Sequence, residues 1–323
     1  MKRNRHLFVT SPIKKQNTQA GIGADMDVLR VFAAGSDPLA LGTSRPLESV
    51  LRDALAEVSP EARVVVLVHG FKWSPAATEL GAPLKDPFCQ IFSTRPRHIN
   101  HKVVSWPQGL GAAQRGDLVI AFGWQALSGA TLGRVPARGF QQIYERAGQT
   151  GQALKALVDQ VRAVSPGREV GVLAHSLGAR VALEAARLGA GIGRMVLMAG
   201  AETKDAAEAA LVAAPDTEVL NVTPRANAFY DRLFAWSIPC EGQTLANLAP
   251  RANHLPLITD GWSTRDALAQ LGYRIDLPDR RMCHWSCYSA PGLLGFYGDV
   301  LNGTLRLRHL AEHLDVLEKV RKA

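Results

Sequence analysis

The chain has 323 residues, 47% of them hydrophobic and 20% charged, with 37 Lys and Arg against 29 Asp and Glu for a net charge of +8. This even mixture supplies enough apolar material for a core and excludes a chain that is disordered over most of its length. No apolar run approaches the roughly 20 residues of a membrane span, and no apolar segment follows the basic start as in a secretion signal, so a cytoplasmic protein without a membrane span is expected.

The first part of the chain is basic, because five Lys and Arg residues precede the first acid, Asp25. A basic arm can contact nucleic acid or anionic lipid, but no zinc finger, aromatic-basic motif or leucine zipper accompanies it. We therefore expect no specific nucleic-acid binding. We assign residues 1–45 to a basic, partly disordered N-terminal segment and residues 46–323 to a single domain.

The rest of the chain alternates between short apolar runs and helix-like stretches. The runs are rich in β-branched residues and almost continuously apolar, as in parallel strands buried on both faces. They lie at residues 63–69, 102–106, 170–174, 195–199, 219–223 and 273–277. The helix-like stretches lie at residues 46–58, 141–164, 177–188, 203–213 and 305–320. This alternation predicts an α/β fold with a doubly wound, mostly parallel sheet.

Two stretches break the alternation. Residues 107–139 contain many glycines and an apolar segment at residues 118–124. We interpret them as a glycine-rich insertion over the sheet, which forms either a lid or pocket wall, or a long connection with one extra strand. Residues 232–270 form the second irregular stretch.

The most informative stretch is residues 170–180, where a buried strand runs directly into an alanine-rich helix with Ser176 at the joint. A strand that turns into a helix within one residue requires small residues two positions before and after the joint, and Ala174 and Gly178 meet this requirement. Such a turn raises the serine hydroxyl above the sheet at a helix start, where free amides favour an oxyanion. We favour a nucleophile over the alternative, a serine that only caps the helix.

This strand, serine and helix resemble the α/β-hydrolase superfamily, whose usual elbow is G-x-S-x-G, with Ala174 in place of the first glycine here. A second shared motif, His69-Gly70-Phe71, ends an upstream buried strand. In the superfamily the loop after that strand completes the oxyanion hole. The resemblance therefore implies the backbone amides of Phe71 and Leu177 as the oxyanion donors.

The chain also resembles a poorly characterised bacterial esterase/lipase-like group of α/β-hydrolases that combines H-G-F, S-W-P and A-H-S-L-G motifs. The middle motif is Ser105-Trp106-Pro107 in this sequence. The likeness covers roughly residues 63–300. It implies a hydrolase and leaves the substrate open.

A nucleophilic serine needs an imidazole to take its proton and a carboxylate to hold that imidazole. The superfamily's chain order of serine, acid and histidine leaves four histidines, His254, His284, His309 and His313. His284 is the candidate base, because it follows the predicted last strand and the bacterial group has a similar His-Trp pair there. His254 is the alternative, while His309 and His313 are four residues apart on a predicted helix and fit a surface pair.

Asp231 is the candidate acid. It follows the predicted strand at residues 219–223, in the loop where the superfamily most often keeps its carboxylate, and the bacterial group has a similar R-x-N run followed by an aspartate. The rival is Glu202, which follows the preceding strand. Another alternative is an exposed Asp231 that only pairs with Arg225 or Arg232.

The four cysteines, Cys89, Cys240, Cys283 and Cys287, are too few for a disulfide scaffold and fit a reducing compartment. Cys283, His284 and Cys287 invite a zinc interpretation, but no second cluster of ligands accompanies them. We therefore expect neither a metal nor a cofactor, and we interpret the thiols as packing residues.

Together these residues predict a cytoplasmic serine hydrolase of the esterase or lipase type that acts on a small, uncharged ester or thioester through an acyl-enzyme. Ser176, His284 and Asp231 are its predicted catalytic triad. Two alternatives remain, an acyltransferase with the same site and a noncatalytic α/β-hydrolase-like binding protein, and the oligomeric state stays open. Because protonated His284 cannot act as a base, we expect kcat/KM to fall on the acid side with an apparent pKa of roughly 6 to 7.

Overall fold

The computed structural model describes residues 28–77, 79, 81–127, 137–276 and 281–322, and the strands in these ranges form one sheet. They are β1 Val28–Ala34, β2 Asp37–Ala40, β3 Val64–Val68, β4 Leu118–Gly123, β5 Val170–His175, β6 Arg194–Met198, β7 Glu218–Val222 and β8 His254–Leu257. Their order is β2-β1-β4-β3-β5-β6-β7-β8, and only the β1–β2 pair is antiparallel. The predicted α/β class with a mostly parallel sheet is confirmed.

Helices cover both faces of this sheet. In the described ranges they are α1 Leu47–Ala56, α2 Trp106–Leu110, α3 Ala112–Arg115, α4 Ala137–Val164, α5 Gly178–Arg187, α6 Lys204–Ala213, α7 Ala228–Ser237, α8 Trp262–Gln270, α9 Ser286–Ser289, α10 Leu293–Leu301 and α11 Leu307–Lys322. Buried residues of α1, α4, α5 and α6 form the core on one face, and those of α2, α8, α10 and α11 form the core on the other. None of these helices is long and apolar enough to cross a bilayer.

Strand β3 shows why the sequence favours this arrangement. Its residues are all buried, with Val64, Val66 and Val68 in the core on one face and Val65 and Leu67 in the core on the other. Successive side chains of a strand point to opposite faces, so a continuous run of Val and Leu suits a strand that is covered on both sides.

Two predicted strands are wrong. At residues 102–106 the chain forms only one isolated bridge, between Asn100 and Val103, before Ser105 caps helix α2 by accepting a hydrogen bond from the Gln108 amide at 3.3 Å. Residues 273–276 pair with no strand of the described sheet, and Tyr273 and Ile275 pack in the core, where the Tyr273 ring lies 5.2 Å from the Phe296 ring of α10. Residue 277 of this predicted strand is outside the described residues. Short apolar runs have the same pattern in a buried loop as in a strand.

The edge strand beside β7 is β8, which lies within residues 232–270, the second stretch interpreted as irregular. It contains Pro256, which cannot donate to a ladder and is therefore tolerated only at an edge. Strand β8 pairs with β7 on one side only, as an edge strand does.

Two further interpretations are corrected by the sheet. The apolar segment of the glycine-rich stretch is β4, which lies between β1 and β3 inside the sheet, so it is the extra strand of the alternative interpretation and not an insertion over the sheet. Strands β1 and β2 belong to the sheet as well, so the predicted domain boundary at residue 45 lies too far along the chain. Residues 1–27 and 128–136 are outside the described residues.

Candidate active site

Ser176 lies in the turn between β5 and α5, and its backbone has a φ of +54°. Its amide donates to the Met198 carbonyl at 3.0 Å, and its own carbonyl accepts from the Ala201 amide at 3.0 Å. The end of β6 and the segment after it therefore hold the turn in place. A Cβ at Gly178 would lie 2.6 Å from the Val68 carbonyl oxygen, which only glycine avoids. The close approach of α5 to β3 therefore explains the small residue two positions after the serine.

The loop after β3 packs directly against Ser176. A Cβ at Gly70 would lie 2.6 Å from the Ser176 Cβ and 2.7 Å from the His175 carbonyl oxygen, so no side chain fits there. Within the described residues, the amides of Phe71 and Leu177 have no hydrogen-bond acceptor, and each belongs to the residue that follows one member of this contact. Free amides at such a position can bind a developing oxyanion.

His69 braces this loop rather than taking part in chemistry. Its Nδ1 donates to the Gly70 carbonyl at 2.9 Å, its Nε2 accepts from the Trp124 amide at 3.0 Å, and the Trp124 indole donates to the His69 carbonyl at 2.8 Å. Burial lowers the pKa of His69 to about 3, so the ring stays neutral and both of these bonds persist at neutral pH.

His284 lies in the segment before α9, at the end of the sheet where β5 leads into Ser176. Its ring centroid lies 4.6 Å from that of His175, the residue before the candidate nucleophile, and 4.8 Å from that of Tyr230, on which it stacks. The His175 Nε2 donates to the His284 carbonyl at 3.1 Å. No hydrogen bond joins His284 to the Ser176 hydroxyl, although catalytic contacts are often long before a substrate binds. Burial, with a smaller contribution from His175, lowers the pKa of His284 well below 6.5.

The hydrogen-bond partner of His284 is Asn227, which is not among the site residues predicted from the sequence. His284 Nδ1 lies 2.6 Å from Asn227 Oδ1, and Asn227 Nδ2 donates to Asp231 Oδ1 at 2.8 Å. Asp231 lies in the first turn of α7 and not in a loop, and it reaches His284 only through Asn227. Burial raises the pKa of Asp231 to about 6, against the Asn227 hydrogen bond, which lowers it. The alternative of an exposed partner for Arg225 or Arg232 does not describe this residue.

A second unselected residue, Asp260, fixes the segment that carries Asn227. Its two carboxylate oxygens accept from the amides of Arg225 and Ala226, each at 2.8 Å. The Ala226 carbonyl in turn accepts from the Cys283 amide at 2.9 Å, which ties the histidine segment to the same turn. The signal available in the sequence was the R-x-N run itself, whose asparagine comes soon after β7.

Residues 45–232 match the model of a family described as an alpha/beta hydrolase of unknown function (DUF900). The chain belongs to this α/β-hydrolase family. The match covers the segments of Gly70, Ser176 and Asp231 and ends before His284. No curated protein matches the chain. The family description names a fold and no reaction, so the function of this α/β-hydrolase has to be inferred from its side chains.

Solved structures similar to this α/β-hydrolase include three with low identity. The dienelactone hydrolase-like promiscuous phosphotriesterase P91 from metagenomic libraries is 18% identical over 64% of this chain and 74% of its own, with a TM-score of 0.31. MenH from S. aureus is 11% identical over 61% of this chain and 84% of its own, with a TM-score of 0.28. The bottromycin epimerase BotH is 16% identical over 76% of this chain and 91% of its own, with a TM-score of 0.30.

The rival acid and base of this α/β-hydrolase lie in other surroundings. Glu202 is buried and accepts from Arg180 at 2.8 Å and from the Thr203 amide at 2.7 Å, and the Tyr144 hydroxyl donates to it as well. These bonds hold Glu202 between Tyr144 of α4 and Arg180 of α5. His254 begins β8, at the opposite end of the sheet from Ser176, and its Nδ1 bonds to the Ala249 carbonyl at 3.0 Å.

The two cysteines beside His284 are buried. Cys287 donates to the His284 carbonyl at 3.4 Å, and burial raises the pKa of its thiol well above 9. All four cysteines are free thiols. No group of three or more His, Cys, Asp or Glu side chains in the described ranges is arranged to hold a metal ion.

We expect Gly70→Ala to reduce kcat on an ester substrate by roughly two to three orders of magnitude, the cost of removing one oxyanion donor. The added methyl group would meet Ser176 and the His175 carbonyl, and the loop that carries the Phe71 amide would have to move. Steady-state kinetics with a p-nitrophenyl ester measures this effect. Gly193→Ala is the matched control, because the Gly193 backbone is not left-handed and a Cβ there comes no closer than 3.8 Å to a neighbouring atom. Equal kcat in the two variants would contradict an oxyanion role for this loop.

Proposed function

We propose that this α/β-hydrolase is a serine hydrolase of the esterase or lipase type, which cleaves an ester or thioester through an acyl-enzyme. The observation that carries the proposal is the left-handed backbone of Ser176, with the Gly70 loop packed against its side chain. A non-glycine residue in this region costs about 1–3 kcal/mol, and such strain clusters at functional sites. A serine that only caps a helix needs no such strain. The N-cap position of α5 is occupied by Leu177 and not by Ser176.

In the proposed reaction, the Nε2 of His284 takes the proton from the Ser176 hydroxyl while Oγ attacks the carbonyl carbon of the ester. The amides of Phe71 and Leu177 donate to the oxyanion that forms. Collapse of the tetrahedral intermediate breaks the carbon–oxygen or carbon–sulfur bond to the leaving group, which receives the proton from His284. Water then attacks the acyl-enzyme by the same steps and releases the acid.

Asn227 and Asp231 have separate roles in this proposal. The Asn227 oxygen accepts the Nδ1 proton of His284, which leaves the Nε2 lone pair free to act as the base. The Asp231 carboxylate accepts from the other end of the same amide and so holds the oxygen toward the imidazole. Asp231 is therefore a positioning residue that acts through Asn227, and its charge also favours the imidazolium that forms during attack.

A stopped-flow assay with p-nitrophenyl esters of increasing acyl length tests the proposed function. We expect a burst of p-nitrophenol that approaches one equivalent of protein for the ester that is turned over best, because acylation releases the phenol before deacylation. Absence of both burst and turnover with every ester in the series would instead support a noncatalytic binding protein.

The pH dependence of kcat/KM tests the pairing of Asp231 with His284. As the pH falls through about 6, Asp231 gains a proton and its negative charge no longer supports the imidazolium, so kcat/KM should fall there. The pKa of His284 lies well below 6.5, so its own protonation should add a second fall at lower pH. In Asp231→Asn the fall near 6 should disappear and leave only the lower one. A profile in which Asp231→Asn keeps the fall near 6 would contradict this assignment.

A further inference from the structure

Three lysines lie in or beside segments that carry the candidate active site. Lys72 follows Phe71, and its Nζ lies 5.7 Å from the centroid of the Phe71 ring. Lys102 Nζ lies 4.3 Å from the centroid of the Trp285 ring, and Trp285 follows His284. One lysine therefore lies beside the candidate oxyanion donor and another beside the residue that follows the candidate base.

Lys85 belongs to the same group. Its carbonyl accepts from the Ser74 amide at 3.0 Å, which joins its segment to the loop after β3. Partial burial, together with the charges of Lys72 and Lys102, lowers the pKa of its ammonium group. Lys72 and Lys102 are thus both close enough to repel the Lys85 ammonium group.

No carboxylate neutralises this cluster within the described residues. None of the three lysines is in an ion pair. Asp86 follows Lys85 but is buried, where it accepts from the Phe88 amide at 2.9 Å and from the Cys89 thiol at 3.4 Å. Unpaired cations that repel one another are stabilised by an anion placed among them.

We propose that the substrate of this site is an ester or thioester that carries a negatively charged group, a carboxylate or phosphate, which Lys72, Lys85 and Lys102 bind while the carbonyl lies at Ser176. The inference rests on the proposed function. The charged substrate differs from the uncharged ester that the sequence predicts. In the sequence, the net positive charge is assigned mostly to the N-terminal segment, and the three lysines lie too far apart along the chain to indicate one site. Cationic side chains near a binding site also raise the rate at which an anionic substrate arrives.

Two matched pairs of esters test the proposal, each differing by one negative charge. The first pair is p-nitrophenyl hydrogen glutarate and its methyl ester, which carry or lack a charge on the acyl side. The second pair is 4-acetoxybenzoate and methyl 4-acetoxybenzoate, which carry or lack it on the leaving-group side. We expect kcat/KM for the charged member of at least one pair to exceed that of the neutral member by about tenfold, and which pair responds identifies the side that bears the charge.

The lysines themselves are tested by Lys72→Gln, Lys85→Gln and Lys102→Gln, singly and together. We expect the triple variant to bring the charged-to-neutral ratio of kcat/KM close to one, as should about 1 M salt with the wild-type chain. The control is Lys155→Gln on α4, whose ammonium pairs with Asp159 and should leave the ratio unchanged.

Two outcomes would overturn the inference. One is that the charged member is preferred in neither pair, and the other is a preference for the charged member that survives the triple substitution. Turnover of the neutral esters keeps these outcomes distinct from failure of the proposed function, since a chain that hydrolyses neutral esters without any charge preference is still a serine hydrolase.

Discussion

Ser176→Ala should lower kcat on p-nitrophenyl esters by roughly five to six orders of magnitude, the loss expected when the nucleophile of a serine hydrolase is removed. The variant loses the proposed attacking atom, while the Phe71 and Leu177 amides that are proposed to bind the oxyanion remain. Alanine should fit the turn, because the chain already holds Ala199 at a φ of +46°. Steady-state kinetics and a thermal melt of the same preparation measure the two effects.

The control for this variant is Ser237→Ala on α7, whose hydroxyl donates to the Leu233 carbonyl at 2.8 Å and takes no part in the proposed site. It should keep the wild-type kcat. A folded Ser176→Ala variant with more than a small fraction of the wild-type kcat would assign catalysis to another group.

Asn227→Leu should lower kcat by roughly three to four orders of magnitude, because the imidazole loses the acceptor that fixes its tautomer. Asp231→Asn should cost less, about two orders of magnitude, since Asn227 still contacts His284 and only the charge behind it is lost. Kinetics at pH 7 to 8, above the raised pKa of Asp231, compares the two variants while the wild-type carboxylate is charged.

Glu202→Gln is the comparison that separates this arrangement from its rival. Glu202 is buried against Arg180, so the change should lower the melting temperature. In the protein that remains folded, kcat should change little. Wild-type turnover in Asp231→Asn and Asn227→Leu, with collapse in a folded Glu202→Gln, would transfer the acid role to Glu202.

The sheet and the turn at Ser176 were predictable because both depend on local sequence. Buried parallel strands such as β3 need continuous β-branched residues, and a turn from strand to helix needs the small residue Gly178. The run at residues 102–106 misled the same reasoning, because Val103 and Trp106 are buried in the core on one face of the sheet, where Trp106 begins α2, and not inside a strand. Strand β8 escaped notice because Pro256 is acceptable only at an edge, which the sequence alone does not reveal.

The partner of His284 was not predictable for a different reason. Asn227 and His284 are brought together by the folds of two separate segments, and Asp260 holds one of them by accepting from two backbone amides. Such contacts leave no spacing pattern along the chain. The sequence therefore indicated Asp231, by its place after the predicted strand and by the resemblance to the bacterial group, and missed the amide that lies between it and the imidazole.

The most direct test of Ser176 as the nucleophile is a fluorophosphonate probe applied to the wild-type chain, followed by peptide mapping of the labelled residue. An activated serine attacks the phosphorus of the probe whatever its natural substrate is. We predict one label per chain, on Ser176, with the label lost in Ser176→Ala and slowed in Asn227→Leu. A wild-type chain that takes no label, or one labelled at another residue, would contradict the claim that Ser176 is an activated nucleophile.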